Sequence, residues 1–289
     1  MNPTKKLRAE AGKFRLKDHA GDDTLGINRA QAEKELPELL LRLNDLQERF
    51  YAEDRHALLI ILQGMDAAGK DGIVKHVIGA VNPAGCSIKS FKAPSTKELE
   101  HDFLWRCHAE FPERGRLGIF NRSYYEEALI VRVHPEYLIR QKLPAKPKPP
   151  ELWEQRLQDI RHFESYAVHN GVRIVKFYLN ISKKEQASRL LTRIDDPVRN
   201  WKITESDLHE RTYWKEYMKA YEAILNQTST DQAPWFVIPA DHKWFARYAV
   251  SRILVDVIEG IDPQYPVTVA SQKRKLLKLR QALAIEAKS

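Results

Sequence analysis

Apolar side chains recur at helical spacing over residues 27–51, at Leu36, Leu39, Leu40, Leu43, Leu46 and Phe50, with charged residues between them. That period predicts a long amphipathic helix packed against a core. The pattern then changes. Residues 57–62 (ALLIIL) are apolar without alternation, as expected for a strand buried on both faces of a parallel sheet. Further buried-strand candidates lie at 87–91, 117–120, 172–179 and 235–238, separated by stretches long enough for helical crossovers. The alternation predicts a doubly wound α/β fold around a parallel sheet of about five strands.

The remaining segments fit around that sheet. KLPAKPKPP (142–150) is too rich in proline for helix or inner strand, and reads as a surface connection ahead of a helix starting near Glu151. Residues 182–225 are helical and charged, with a break at DDPVRN (195–200), where Pro197 predicts a turn between two helices. From Ser271 the chain reads as a basic helix, solvated or in contact with another subunit. The expected organisation is an N-terminal extension over 1–56, a core over 57–262 and the basic helix over 263–289.

Composition adds bounds. With 43% hydrophobic and 30% charged residues and a mean hydropathy of -0.52, the chain has the composition of a globular enzyme. No apolar run approaches membrane-spanning length and residues 1–23 lack the apolar core of an export signal, so a cytoplasmic location and no membrane partner are expected. Cys86 and Cys107 are too few for a disulfide framework and read as reduced structural thiols. A net charge of +8 favours polyanionic partners. No RNA- or DNA-binding motif accompanies it, so nucleic acid is not expected.

The chemistry begins where the first strand ends. Gly64-Met65-Asp66-Ala67-Ala68-Gly69-Lys70 has the Gly-x4-Gly-Lys spacing, after a buried strand and before an amphipathic segment, 71–81. Glycines let the backbone turn tightly and offer amides to phosphate oxygens, and the lysine supplies a full positive charge. The next residues, Asp71 and Gly72, depart from the usual pattern, in which a Ser or Thr hydroxyl ligates Mg²⁺. Asp66 is therefore the expected principal Mg²⁺ ligand, with Asp71 assisting or orienting an acceptor.

The strand at 117–120 delivers a second polar group, Asn121-Arg122-Ser123-Tyr124-Tyr125-Glu126. In phosphate-loop enzymes an Asp usually stands where Asn121 does; Asn121 offers Mg²⁺ only a neutral oxygen, and Arg122 can bridge phosphate oxygens. No Ser/His/Asp or Cys/His arrangement suggests a covalent intermediate.

Four motifs in order, GMDAAGKDG (64–72), FNRSYYEE (120–127), RIDDPVRNWK (193–202) and PWFVIPADHKWFAR (234–247), resemble the polyphosphate kinase 2 family from the N-terminal helix to about Ile261. The resemblance implies a three-layer α/β/α P-loop kinase fold with a helical lid at about 182–225. It also implies Mg²⁺-dependent phosphoryl transfer between inorganic polyphosphate and the nucleotides AMP, ADP and ATP, and a homodimer or homotetramer. Asn121 together with Glu126 looks like the subgroup called class III, which phosphorylates both AMP and ADP. On this reading Asp66, Lys70, Arg122 and Glu126 are catalytic. Gly64, Met65, Ala67, Ala68, Gly69, Asp71 and Gly72 cradle phosphate.

Arg193, Arg199 and Lys202 flank the DDP turn and are expected to close over the phosphate chain, although an exposed charged helix pair would show the same residues. Lys75, Lys89 and Lys92 are candidates for a polymer track. Trp201, Trp214, Tyr217, Trp235, Trp244 and Phe245 read mainly as core packing, and Asp241, Lys243 and Arg247 as either an ion-paired cluster or substrate contacts. The rival function is an ATP-dependent nucleoside or nucleotide monophosphate kinase, and a rival class is a nucleic-acid-binding ATPase.

Overall fold

All seven residues of the ALLIILQ run are buried, and they form the central strand, β1 (Ala57–Gln63), of the computed structural model, which describes residues 3–144, 148 and 151–287. The others are β2 (Cys86–Ser90), β3 (Leu117–Asn121), β4 (Val172–Asn180) and β5 (Trp235–Pro239). All pair in parallel, in the order β2-β3-β1-β4-β5. β1 lies between β3 and β4, so it shows no edge to water and needs no polar face. The α/β expectation holds.

β2 departs from the buried-strand expectation. It is the sheet's edge, with β3 as its one neighbour, and its residues are half-buried or exposed. The opposite edge, β5, is capped by the chain's own start: Arg8 bridges Phe236 in antiparallel fashion and Ala9 donates to the Trp235 carbonyl. Leu7, Phe14 and Leu16 join the same hydrophobic cluster as β1, so the N-terminal extension packs as part of the core. Covering an edge in this way removes a template for pairing with another chain.

After a short helix, Pro3–Leu7, a long helix spans Arg29–Glu53, its N-terminus capped by the Asn28 side chain, and packs through Leu39, Leu43, Leu46 and Phe50. The helix after the phosphate loop is shorter than the 71–81 pattern suggests: Lys70–His76, then a 3-10 turn, Ile78–Ala80. A helix over Glu151–His169 packs beside β4. Most of the proline-rich connection, 145–147 and 149–150, lies outside the described residues.

Between β4 and β5 the chain makes more elements than the two helices expected. Helix Lys183–Asp195 is followed by a 3-10 turn Asn200–Lys202, a short helix Glu205–Glu210, a turn Arg211–Tyr213 and helix Trp214–Thr228. Pro197 ends the first helix, and Asp207 starts the short one by accepting the Thr204 N–H at 2.8 Å. Asp196 forms the turn by accepting from the Val198 amide. Helix Lys243–Glu259 then packs along helix Arg29–Glu53, and helix Ala270–Glu286 is exposed along its described length.

Under the sheet lies a buried polar knot. Lys176 on β4 donates to Glu164 at 2.5 Å and to the Thr228 carbonyl at 2.8 Å. Tyr124 and Tyr125 both donate to the other oxygen of Glu164, at 2.9 and 2.8 Å. Burial lowers the Lys176 pKa, and Glu164 works against that shift. The knot ties the residues just after Arg122 to two core elements.

Candidate active site

The register Leu62↔Asn121 sets the tips of β1 and β3 side by side. Whatever follows Leu62 and Asn121 must therefore share one crevice, at the carboxyl ends of the strands where open α/β sheets bind ligands. Gly64 makes the first turn at φ 152°, and a Cβ there would lie 2.9 Å from the Leu179 carbonyl oxygen, so a side chain is excluded. Gly69, at φ 113°, starts the helix. Ala67 and Arg122 also adopt positive φ, at 62° and 65°, an unusual conformation for residues with a Cβ.

Lys70 is buried in the loop it follows. Its Nζ donates to the Gly64 carbonyl at 2.6 Å and to the Met65 carbonyl at 3.2 Å. Burial lowers its pKa, partly opposed by the Asp66 carboxylate. Asp66 in turn accepts from Arg122 Nη2 at 2.7 Å, and Arg122 Nη1 stands 3.9 Å from Glu126. Glu126 and Asp66 keep the Arg122 guanidinium charged despite burial. Burial raises the Glu126 pKa, with Arg122 and Lys70 pulling the other way. The tip of β3 adds one more contact, Asn121 Nδ2 donating to Asp71 Oδ1 at 2.8 Å.

Asp66, Lys70, Asp71, Asn121 and Arg122 open onto a cleft of about 730 Å³, while Gly64, Met65 and Glu126 are not part of its lining. Its described lining carries eight Lys and Arg side chains against three Asp and Glu, and no Phe, Tyr or Trp. Such a cavity attracts anions. Among the described residues no three His, Cys, Asp or Glu side chains converge on one point. Asp66, Asp71 and the Asn121 amide oxygen are hard oxygen donors beside Lys70, a set that fits Mg²⁺, which takes one or two carboxylates and completes its shell with phosphate oxygens and water.

Lys75, Arg193 and Arg199 line the cleft together with residues 66–72, Asn121 and Arg122. Lys202 lies in the turn Asn200–Lys202. Lys89 and Lys92 are not brought there: Lys89, on the edge strand, pairs with Glu110, and Lys92 is exposed beyond the end of that strand. Lys243 and Arg247, which sequence left open between ion pairing and substrate contact, line the cleft, and burial lowers both their pKa values. Asp241 does not pair with them; it accepts from the Ser182 amide at 2.7 Å. Of the six aromatics read as core, Trp235, Phe245 and Tyr217 are buried and Trp214 and Trp244 half-buried, but Trp201 is 74% exposed.

Two residues escaped the sequence reading. Arg189 and Gln186 reach back from helix Lys183–Asp195 to the phosphate loop, Arg189 to the carbonyls of Ala67 and Ala68 and Gln186 to that of Asp66. Their spacing of three places both on one helix face, a signal too common to single them out.

A parallel sheet in this order, with a glycine-turned loop and its lysine at the tip of the central strand, defines a phosphate-loop kinase. The sequence pattern of "Polyphosphate kinase 2 (PPK2)" matches residues 26–266. The chain belongs to the polyphosphate kinase 2 family. It is 50% identical over 243 residues to an ADP-polyphosphate phosphotransferase of Rhodopseudomonas palustris, covering 84% of each chain. It is 44% identical to an AMP/ADP-polyphosphate phosphotransferase of Meiothermus ruber, covering 91% of this chain and 95% of the relative. It superposes on the crystal structure of polyphosphate kinase 2 from Arthrobacter aurescens TC1 with a TM-score of 0.87 and 40% identity, over 96% of this chain and 97% of that one.

Proposed function

We propose that the protein transfers the terminal phosphoryl of inorganic polyphosphate directly to nucleotides, making ADP from AMP and ATP from ADP, with Mg²⁺. One observation carries the choice of donor: the cleft beside the phosphate loop has cations along its described walls and no Phe, Tyr or Trp on which a nucleobase could stack. A donor of repeating phosphates needs only charge. An ATP-dependent kinase needs a place for the donor's adenine on the same side.

The donor chain lies along Lys75, Lys243, Arg247, Arg193 and Arg199, with its last phosphoryl at Gly64–Lys70. Lys70 leaves the Gly64 and Met65 carbonyls and turns its ammonium to that phosphoryl. The helical segment 182–225 acts as the lid, bringing Arg193, Arg199 and Lys202 over the chain and excluding water. The acceptor enters on the Arg122 and Glu126 side, near Tyr217 and Tyr221, whose pKa values burial raises and the Glu126 charge raises further. Its phosphate is already anionic near neutral pH, so in-line attack needs no strong base. Arg122 bridges the oxygens of donor and acceptor, and Glu126 places the shorter nucleotide. Asp66, with Asn121 and Asp71, would hold Mg²⁺, whose charge would screen the repulsion between the two polyanions.

The relatives' names divide on acceptor, one giving ADP and one AMP and ADP. The Meiothermus ruber relative covers more of the chain and supports the broader range. Incubation of AMP, or of ADP, with long-chain polyphosphate and Mg²⁺ in the absence of ATP tests the proposal. ADP and ATP are expected from the first and ATP from the second. Phosphorylation only when ATP is the donor would establish the rival kinase. We further propose a homo-oligomer working in the cytoplasm, which light scattering and cell fractionation test.

A further inference from the structure

An arginine guanidinium has five N–H donors. In Arg189 all five are engaged. Nε donates to Glu185 at 2.8 Å; Nη1 donates to the carbonyls of Ala67 at 3.0 Å and Ala68 at 3.1 Å. Nη2 donates to the carbonyls of Ala240 at 2.5 Å and Asp241 at 2.9 Å. Although Arg189 counts among the cations of the cleft wall, its side chain is nearly buried and none of its hydrogens remains for a phosphate oxygen.

The carbonyls it holds belong to the phosphate loop. Lys70 takes those of Gly64 and Met65, Gln186 takes that of Asp66 at 2.8 Å, and Arg189 takes the next two. Three side chains thus hold five consecutive carbonyls, and Gln186 and Arg189 keep three of them when Lys70 turns to the phosphoryl. In a planar trans peptide the carbonyl of one residue and the N–H of the next point in opposite directions. Holding the Asp66 carbonyl therefore aims the Ala67 amide away from Gln186, and holding the Ala68 carbonyl aims the Gly69 amide away from Arg189. The same guanidinium binds the two residues that follow β5, Ala240 and Asp241, so the loop is tied to the end of the sheet as well.

We infer that Arg189 is a positioning residue for phosphoryl transfer: it binds no substrate and, from the base of helix Lys183–Asp195, sets the direction in which the phosphate loop presents its amides. The inference rests on the functional reading above. It also places the moving part of the lid beyond Arg189, because the first turns of that helix are fastened to the loop. Arg193 and Arg199 lie past that fastening.

The test compares Arg189→Lys with Arg189→Ala. Lysine keeps the charge but lacks the planar fork that spans carbonyls on two separate segments. A positioning role predicts that both variants lose kcat by on the order of a hundredfold, as for a misaligned reacting group. KM for polyphosphate and its dependence on salt should stay close to wild type. Recovery of kcat in Arg189→Lys, with a raised KM and a flatter salt dependence in Arg189→Ala, would identify a charge contact and overturn the inference. So would a lowered melting temperature with kcat per folded enzyme intact. If neither variant folds, Gln186→Ala, which frees the Asp66 carbonyl alone, should lower kcat about tenfold at unchanged KM; unchanged kcat would overturn it. Failure of the wild-type protein to move phosphate from polyphosphate to ADP would instead defeat the functional reading.

Discussion

Arg122 Nη2 donates to Asp66 Oδ1 at 2.7 Å, across from one strand tip to the neighbouring one. The proposed metal ligand and the proposed phosphate-bridging cation therefore neutralise each other before substrate arrives. For Asp66 to serve as a metal ligand and Arg122 as a phosphate contact, this pair would have to open. Arg122→Ala should lower kcat by about a hundredfold to a thousandfold, as for loss of a donor aimed at transition-state charge, while the Mg²⁺ concentration needed for half-maximal rate does not rise. Asp66→Asn should raise that concentration. Mg²⁺ titrations of both variants check the pair.

Lys70 carries its ammonium inside the loop itself. Lys70→Ala is expected to retain its fold by circular dichroism and to lose transfer activity by on the order of a thousandfold. Retained turnover would remove the lysine from the mechanism.

Burial raises the Glu126 pKa above the ordinary glutamate value, against the pull of Arg122 and Lys70. A raised pKa means that protonation sets in sooner as pH falls. If its carboxylate places the acceptor, kcat/KM for AMP should decline on the acid side through an ionisation above the usual 4.5. Glu126→Gln should lack that limb, and Glu126→Ala should lose AMP activity more than ADP activity. Comparable AMP and ADP activities in Glu126→Ala would deny it the placing role.

The Lys176–Glu164 pair is buried on both sides, with side-chain exposures of 0% and 2%. Lys176→Met leaves the Glu164 charge without its cation, and should destabilise the fold by about 3–5 kcal/mol. Adding Glu164→Leu should recover part of that loss, although Tyr124 and Tyr125 then lose their acceptor. Denaturant unfolding of the two variants measures both effects.

Much of the fold was legible in the chain because β1, β3, β4 and β5 are buried runs whose apolarity survives without knowledge of the partner. The sequence 87–91 (SIKSF) carries two serines and a lysine, a mixed composition that suits the edge position β2 occupies better than the buried one expected of it. In the site, the loop and Arg122 were readable from short contiguous motifs. Lys89 and Lys92 were not separable from Lys75, since nothing local says which lysine at a strand or helix end faces a cleft. Lys243 and Arg247 were in view but not assignable to the cleft. Arg189 was invisible for a different reason: its function is to bind backbone carbonyls more than 120 residues away, contacts that carry no sequence signal at either end.

The account depends on where the inorganic chain ends. A crystal of the protein soaked with short-chain polyphosphate should show the terminal phosphoryl within Gly64–Lys70, with Lys70 Nζ turned from the Gly64 carbonyl onto its oxygens. Density for the chain elsewhere, with Lys70 still on Gly64, would contradict it.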